Sequence, residues 1–331
     1  MKSSKITGIG HYVPENVVTN EDLEKKMDTS NEWIVERTGI LERRFFDPQV
    51  DTVANMATKA SRMAIERAHI TTQDIDFIVF ATITPDYFFP GSGVLLQREL
   101  GLEGIGALDI RNACSGFIYA LSVADQYIKT GMYQNILVVG AEIQSSALEL
   151  TDRGRAVSVI FGDGAGAVVL QSTEQEPGVL STHLHADGRY AEELYVKDPG
   201  SSRSERLTHE MLDGTSIRAY MNGSTVFKHA VVRFQEVIAE ALKANSLEVK
   251  DMDLFIPHQA NLRISSAIQH KLGLSDDQVY NNIMRYGNTT AASIPIAMSE
   301  AWQEQKIKEG NLICLASFGS GFTWASALIR F

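Results

Sequence analysis

Cysteine is almost absent: Cys114 and Cys314 are the only two in 331 residues. So sparse a pair excludes a disulfide framework and any CxxC-type metal spacing, and the expected compartment is the reducing cytoplasm. Long apolar runs are also missing, so the chain is expected to be mature and soluble, with neither a signal segment nor a membrane span. Positive charge is short as well, 30 Lys and Arg against 41 Asp and Glu, a net −11. That balance argues against broad nucleic-acid binding and against an anionic membrane surface. An acidic partner would need a local basic patch. No low-complexity stretch or charge run divides the chain. What remains is 44% hydrophobic and 21% charged residues, an ordinary globular composition with length for about two structural units.

The sequence repeats itself. Thr71–Ile78 and Glu248–Phe255 each follow a helix-like stretch (54–68 and 231–245) and share an Asp-apolar-Asp pattern, with Asp76 and Asp253 at an offset of 253 − 76 = 177. Asn135–Val139 follows a helical pattern over 115–130, and Asn311–Leu315 follows one over 291–308, at an offset of 311 − 135 = 176. Two nearly equal offsets, each joining helix, turn and apolar run, indicate a duplicated α/β unit, with halves at 1–171 and 172–331. The runs 77–83, 136–140, 157–161, 167–170, 254–256 and 312–317 lack alternation, as strands buried on both faces do, and helices should cover both sides of each sheet. The polar, turn-rich segment at about 187–223 breaks the pattern and is expected outside the duplicated core.

Candidate chemistry lies at strand ends. Cys114, in Ile110-Arg111-Asn112-Ala113-Cys114-Ser115-Gly116-Phe117, follows an apolar run and opens a helix. There, unpaired N–H groups would lower its pKa and favour the thiolate; the alternative is a small buried hydrophobe, which is the expectation for Cys314. His258 stands where Leu254-Phe255-Ile256-Pro257 gives way to a helix, the strand end where α/β sheets bind ligands, although a structural histidine also fits. Asn288, in Gly287-Asn288-Thr289-Thr290, could be a turn former or helix cap. The duplication carries Cys114 to position 290, beside Asn288, and His258 to Ala81. The three groups then converge near one pseudo-twofold axis, and that convergence favours a Cys/His/Asn site. His183 and His185 share a strand face but lack a third metal ligand. Phe161–Leu170 is glycine-rich but precedes a strand instead of opening a helix, so it is no dinucleotide loop. Phe318–Phe322 could present backbone N–H groups to an oxyanion, or be a plain hairpin.

Taken together, these segments resemble the β-ketoacyl-acyl-carrier-protein synthase III family of thiolase-fold condensing enzymes. The similarity runs end to end: Thr29–Ile40, the Cys114 segment, Thr151–Gly154, Phe161–Ala167, Pro257–Arg263, Gly287–Ser293 and Phe318–Leu328. The resemblance implies a five-layered αβαβα homodimer that starts type II fatty-acid synthesis by condensing an acyl-CoA primer with malonyl-acyl carrier protein. It implies Cys114, His258 and Asn288 as the catalytic set and the N–H groups of Cys114 and Ser320 as the oxyanion hole. A CoA thioester enters as substrate, with no metal or bound cofactor. For CoA it implies Trp33 and Arg153 stacked on the adenine, Arg37 and Lys228 near the phosphates, and Asn261 along the pantetheine channel. Arg263 and Lys271 are the expected carrier-protein contacts. Phe318 and Phe89, the latter reaching across the dimer, are expected in the primer pocket.

Three departures stand out. Ser224 replaces the usual Asn before Val-Phe-Lys, Ser320 occupies a position that is commonly Gly, and 187–223 is long, which points to a primer larger than acetyl. Competing readings are a specialised synthase of secondary metabolism with an aromatic or other acyl primer, a thiol hydrolase, and a silent acyl-binding protein.

Overall fold

A computed structural model describes residues 2–174 and 178–331. Among these residues are thirteen strands: β1 (Ser3–Tyr12), β2 (Val17–Thr19), β3 (Glu42–Arg44), β4 (Phe77–Ala81), β5 (Gly106–Ile110), β6 (Asn135–Glu142), β7 (Gly164–Thr173), β8 (Val179–Ala186), β9 (Leu194–Tyr195), β10 (Tyr220–Met221), β11 (Leu254–Pro257), β12 (Leu312–Gly319) and β13 (Thr323–Arg330). One sheet runs β1-β7-β6-β4-β5 and the other β11-β12-β13-β8, with two small ribbons, β2-β3 and β9-β10.

The apolar strands demand cover on both faces, and the helices supply it in layers. Helix Val53–Arg67 packs on β1, β7 and β6 from outside, and helix Gly223–Ala244 packs on β13, β12 and β8 from the other side. Between the sheets lie helices Gly116–Lys129 and Ser293–Gln303. Every residue from Ser293 to Ala301 is buried, as a helix enclosed by two sheets must be. The largest cluster of core side chains fills this middle layer, joining Phe117 and Leu121 to Ile294 and Met298, and the outer layers have cores of their own. The result is αβαβα.

The internal repeat keeps one offset from Asp76 to Glu142 and from Asp253 to Gly319. Asp76 and Asn135 exchange two bonds, Asp76 N–H to the Asn135 carbonyl at 2.9 Å and Asn135 N–H to the Asp76 carboxylate at 2.9 Å. Asp253 and Leu312 repeat them at 2.9 and 2.7 Å. Ala113 (φ 45°) and Thr290 (φ 52°) both open a 3-10 turn in left-handed conformation ahead of a central helix. All of these pairs share an offset of 177. The second expected offset is therefore corrected from 176: Asn135 corresponds to Leu312, Cys114 to Ala291, and Asn288 to Arg111.

Other expectations change too. The 157–161 run is not a strand. Arg155–Ser158 is a short helix and Phe161 makes an isolated bridge to Asn288, because a short apolar run is read equally well as a buried helical turn. Helix Gly223–Ala244 begins eight residues before the expected 231, where Asn222 accepts the Thr225 N–H at 3.4 Å as its cap. The helix expected over 291–308 covers Ser293–Gln303 only. Opposite β5 the second half has no strand, only a bridge between Phe255 and Val279 and the short helix Ile283–Tyr286. The 187–223 segment is ordered around the β9-β10 ribbon and helix His209–Asp213. Among the described residues, no helix is long and apolar enough to cross a membrane.

Candidate active site

Cys114 sits in the 3-10 turn Ala113–Ser115, directly before the central helix Gly116–Lys129. The end of β12 comes so close that a Cβ on Gly319 would lie 2.5 Å from the Cys114 Cβ and 3.0 Å from its sulfur. Only glycine fits there. The backbone N–H groups of Cys114 and Ser320 both lie near enough to the sulfur to favour its anion, the type of donor that an oxyanion beside it would need. The sequence-based expectation of a lowered thiol pKa is corrected. Burial, with the Glu142 carboxylate adding to it, pushes Cys114 up to about 12 against the pull of the two N–H groups. At 7% exposure, loss of solvent outweighs the helix start. Cys314 is fully buried in β12, as expected for a core residue.

His258 ends β11 and is 3% exposed. Its Nδ1 lies 2.6 Å from the Ser293 hydroxyl, and that hydroxyl accepts the Gln259 N–H at 3.3 Å. When the Ser293 hydroxyl gives its proton to Nδ1, the neutral ring carries its own proton on Nε2. Nε2 is buried and unpartnered. Burial holds the imidazole pKa down to about 3, so the ring stays neutral. Asn288, 5% exposed, accepts the Thr290 N–H on Oδ1 at 2.8 Å, which leaves its Nδ2 as a free donor.

Cys114, His258 and Asn288 line one cavity of about 130 Å³, together with Phe318, Gly319 and Asn261. A second cavity of about 400 Å³ also reaches Cys114, walled by Arg111, Gln144, Leu194, Val196 and Ser320 among others. It shares Ile83, Arg111, Gln144 and Val196 with a third of about 640 Å³. The long 187–223 segment contributes walls to all three cavities. The structure brings the three groups and the Ser320 N–H together.

The outer residues scatter more. Arg37 and Arg155 lie over the Trp33 ring, 4.8 and 5.2 Å from its centre, while Arg153 pairs with Glu149 at 2.6 Å. Asn261 caps helix Leu262–Leu272, donates to the Arg37 carbonyl at 2.9 Å and lines the smaller cavity. Lys228 is exposed on helix Gly223–Ala244. Arg263, over the Phe227 ring at 5.8 Å, and Lys271 are exposed on helix Leu262–Leu272. Phe89 is 77% exposed and lines none of these cavities within one chain. His183 and His185 both face Glu240, at 3.4 and 2.6 Å. Among the described residues no group of His, Cys, Asp and Glu is disposed to hold a metal ion.

Sequence reasoning passed over three residues. Ser293 ends the Gly287–Ser293 stretch, and its signal is a hydroxyl at the start of a central helix. Arg155 stands two places after Arg153. Glu142, at the end of β6, is held at about 7 by burial while it accepts bonds from Thr82, Ile83 and Thr84; a lone Glu at a strand end gives no distinguishing signal.

A thiol in reach of two backbone donors, a neutral imidazole and a carboxamide, between two duplicated sheets, define a thiolase-fold acyltransferase of the condensing class. Residues 108–188 match the family described as 3-oxoacyl-[acyl-carrier-protein] synthase III, and 242–331 match that family's C-terminal description. The chain is 48% identical to the β-ketoacyl-[acyl-carrier-protein] synthase III of Aliivibrio fischeri and to that of Escherichia coli K12, over 99% of this chain and 99% of each relative. The crystal structure of 3-oxoacyl-[acyl-carrier-protein] synthase III from Aquifex aeolicus superposes with a TM-score of 0.91 at 43% identity, covering 99% of this chain and 100% of that one. The chain belongs to the β-ketoacyl-[acyl-carrier-protein] synthase III family.

Proposed function

We propose the following division of labour for the reaction of this acyltransferase, the decarboxylating condensation of an acyl-CoA with malonyl-acyl carrier protein that begins fatty-acid synthesis. The Cys114 sulfur attacks the thioester carbon, whose oxygen takes the charge between the N–H groups of Cys114 and Ser320. The C–S bond to CoA breaks, the thiol proton leaves with CoA, and an acyl-enzyme remains. Malonyl-carrier protein then enters. Its thioester oxygen accepts hydrogen bonds from His258 Nε2–H and Asn288 Nδ2–H while the bond to the carboxylate breaks. The electron pair passes into an enolate and CO2 leaves. The enolate carbon attacks the acyl group, Cys114 departs and is reprotonated, and a β-ketoacyl-carrier protein is released. Neutral donors suit an enolate in a dry pocket, and the Ser293 contact supplies a neutral donor.

The observation that carries this reading is the buried, unpartnered Nε2 of His258 in the cavity that holds Cys114 and Asn288. The wider contacts follow as proposals. CoA would lie along Asn261, with its nucleotide end at Trp33, Arg37, Arg153, Arg155 and Lys228. The acidic carrier protein would meet Arg263 and Lys271, a local basic patch on a chain of net charge −11. β5 ends its sheet with an open edge, and Tyr87, Phe88 and Phe89 are exposed nearby. A second copy pairing there would cover the edge and bring Phe89 to its neighbour's pocket. We take the halves as 1–171 and 172–331, the compartment as the cytoplasm, and the reaction as independent of a bound cofactor. The roughly 400 Å³ chamber argues for a primer larger than acetyl. The relatives' names favour fatty-acid synthesis over secondary metabolism.

Intact-protein mass spectrometry tests the scheme. An acyl-CoA should add one acyl mass to the wild type and none to Cys114→Ala. His258→Ala and Asn288→Ala should acylate normally yet fail to condense. Condensation by Cys114→Ala, or normal condensation by both other variants, would refute it.

A further inference from the structure

Arg111 is the one cationic residue lining either the 400 or the 640 Å³ cavity, and the condensation described above gives it no task. It stands three positions before Cys114, just past the end of β5. By the repeat it is the counterpart of Asn288, since 288 − 111 = 177. In the second half this position places Asn288 in the smaller cavity with Cys114. In the first half it places Arg111 on the wall of the two larger ones.

Among the described residues the guanidinium makes no ion pair. The acids around it are already engaged. Asp109 accepts the Gly93 N–H at 3.0 Å. Asp86 caps helix Val53–Arg67 and accepts the Ser92 hydroxyl at 3.0 Å. Asp51 pairs with Lys59 at 3.2 Å, and the buried Asp198 has the Arg203 charge 3.1 Å away, although neither of its oxygens is hydrogen-bonded. The wall beside Arg111 is polar too, with Asn112, Gln144, Thr290 and Thr323. Gln144 and Thr290 bond each other at 2.8 Å and Thr323 donates to the Ser320 carbonyl at 3.0 Å, so the group left without a protein partner is the guanidinium, which is exposed to water in the single chain. Closure of the β5 edge by a second copy would take that water away, and a covered guanidinium needs an anion.

We propose that Arg111 fits the chamber it shares with Cys114 to primers that end in a carboxylate, short dicarboxylic acids joined to coenzyme A through one carboxyl group. Arg111 and Cys114 line the same cavity, and their Cα atoms, three residues apart, are separated by at most about 10 Å, so a short acyl chain held on the thiol shares that cavity with the guanidinium. A guanidinium and a carboxylate form paired N–H···O bonds of the strongest neutral-pH kind.

This inference rests on the condensation reading, and the experiment separates the two. The full-length protein is assayed with malonyl-carrier protein and three primers: acetyl-CoA, pentanoyl-CoA, and glutaryl-CoA, which matches pentanoyl-CoA in length but ends in a carboxylate. Products are read by mass. The wild type should favour glutaryl over pentanoyl by about tenfold or more in kcat/KM, and 1 M salt should shrink that ratio. Arg111→Gln should reverse the ratio, and Arg111→Lys should restore part of it. A wild type that prefers pentanoyl-CoA overturns the proposal, whether or not the variants fold. So does an Arg111→Gln enzyme that loses both primers in parallel, the result expected if the guanidinium pairs with a carboxylate of a second copy. If acetyl- or pentanoyl-CoA turns over and glutaryl-CoA does not, this inference alone falls. If no primer labels Cys114, the condensation reading falls first.

Discussion

The two halves share a backbone plan and differ where it meets chemistry. At the first position of the central helix the first half has Gly116 and the second Ser293. Gly116 lets the chain close on Ala81 and Ala291, where an added Cβ would come within 3.1 and 3.5 Å of the neighbouring Cβ atoms. Ser293 spends its hydroxyl on His258. At the sheet end the first half carries Glu142, which ties down Thr82 and Thr84, while the second carries Gly319, which yields its space to the Cys114 sulfur. The first half ends on the open strand β5, and the second replaces that strand with a bridge and a helical turn. Such exchanges leave one half with the proposed nucleophile and the other with the proposed enolate donors, with neither having to do both.

The largest expected effect comes from erasing the asymmetry at Gly319. Gly319→Ala places a methyl group against Cys114 and should slow acyl-enzyme formation by about a hundredfold or more, a misplacement effect, read as the rate of mass gain on mixing with acyl-CoA. An undiminished rate would mean that β12 can yield. Next is the open edge. The proposed pairing of a second copy there predicts that Leu108→Lys in β5 shifts the protein from dimer to monomer in sedimentation velocity, because an edge strand is easily blocked by charge, with activity falling alongside; a wild type that sediments as a monomer would sink the pairing. Ser293→Ala sharpens the comparison at the helix start. Condensation should drop about tenfold, on the scale of one lost orienting hydrogen bond, while acylation of Cys114 persists. Nitrogen NMR of the His258 ring should then lose the uniform Nε2–H signature, which a merely structural serine would not affect.

The smallest effect is in stability against pH. The folded His258 pKa is depressed to about 3, so between that value and the unfolded value of about 6.5 the unfolded chain binds the extra proton. Stability should therefore fall as pH drops through this window. The slope should be shallower in His258→Asn, measured by urea unfolding at pH 7, 6 and 5. Equal slopes would show that the ring is solvated.

Much of this was legible from residues alone. The Asp-apolar-Asp pairs at 76 and 253 exposed the repeat because each aspartate caps the same strand start, a local device that leaves a local trace. That Cys114, His258 and Asn288 meet in one cavity was legible because the repeat relates their positions and each lies within a few residues of a strand end or a helix start. Other features carried no such trace. The thiol pKa went the wrong way because the helix start is visible in sequence and the desolvation comes from distant β12. The 157–161 run was misread because apolar residues over five positions do not distinguish a strand from a buried turn. Ser293 was passed over because its partner lies 35 positions away. The sandwich of Arg37 and Arg155 about Trp33 joins segments more than a hundred residues apart, and no spacing rule reaches that far.

The enclosed middle layer has a consequence for cutting the molecule. Helix Gly116–Lys129 belongs by sequence to the first sheet yet also packs on β8, β12 and β13, and helix Ser293–Gln303 belongs to the second yet packs on β1, β6 and β7. A fragment ending between β7 and β8 would hold one such rod with half of its oily girth bared. Two separately made pieces should remain sticky and shapeless alone, then recover a working enzyme when mixed, as complementary shells of one body.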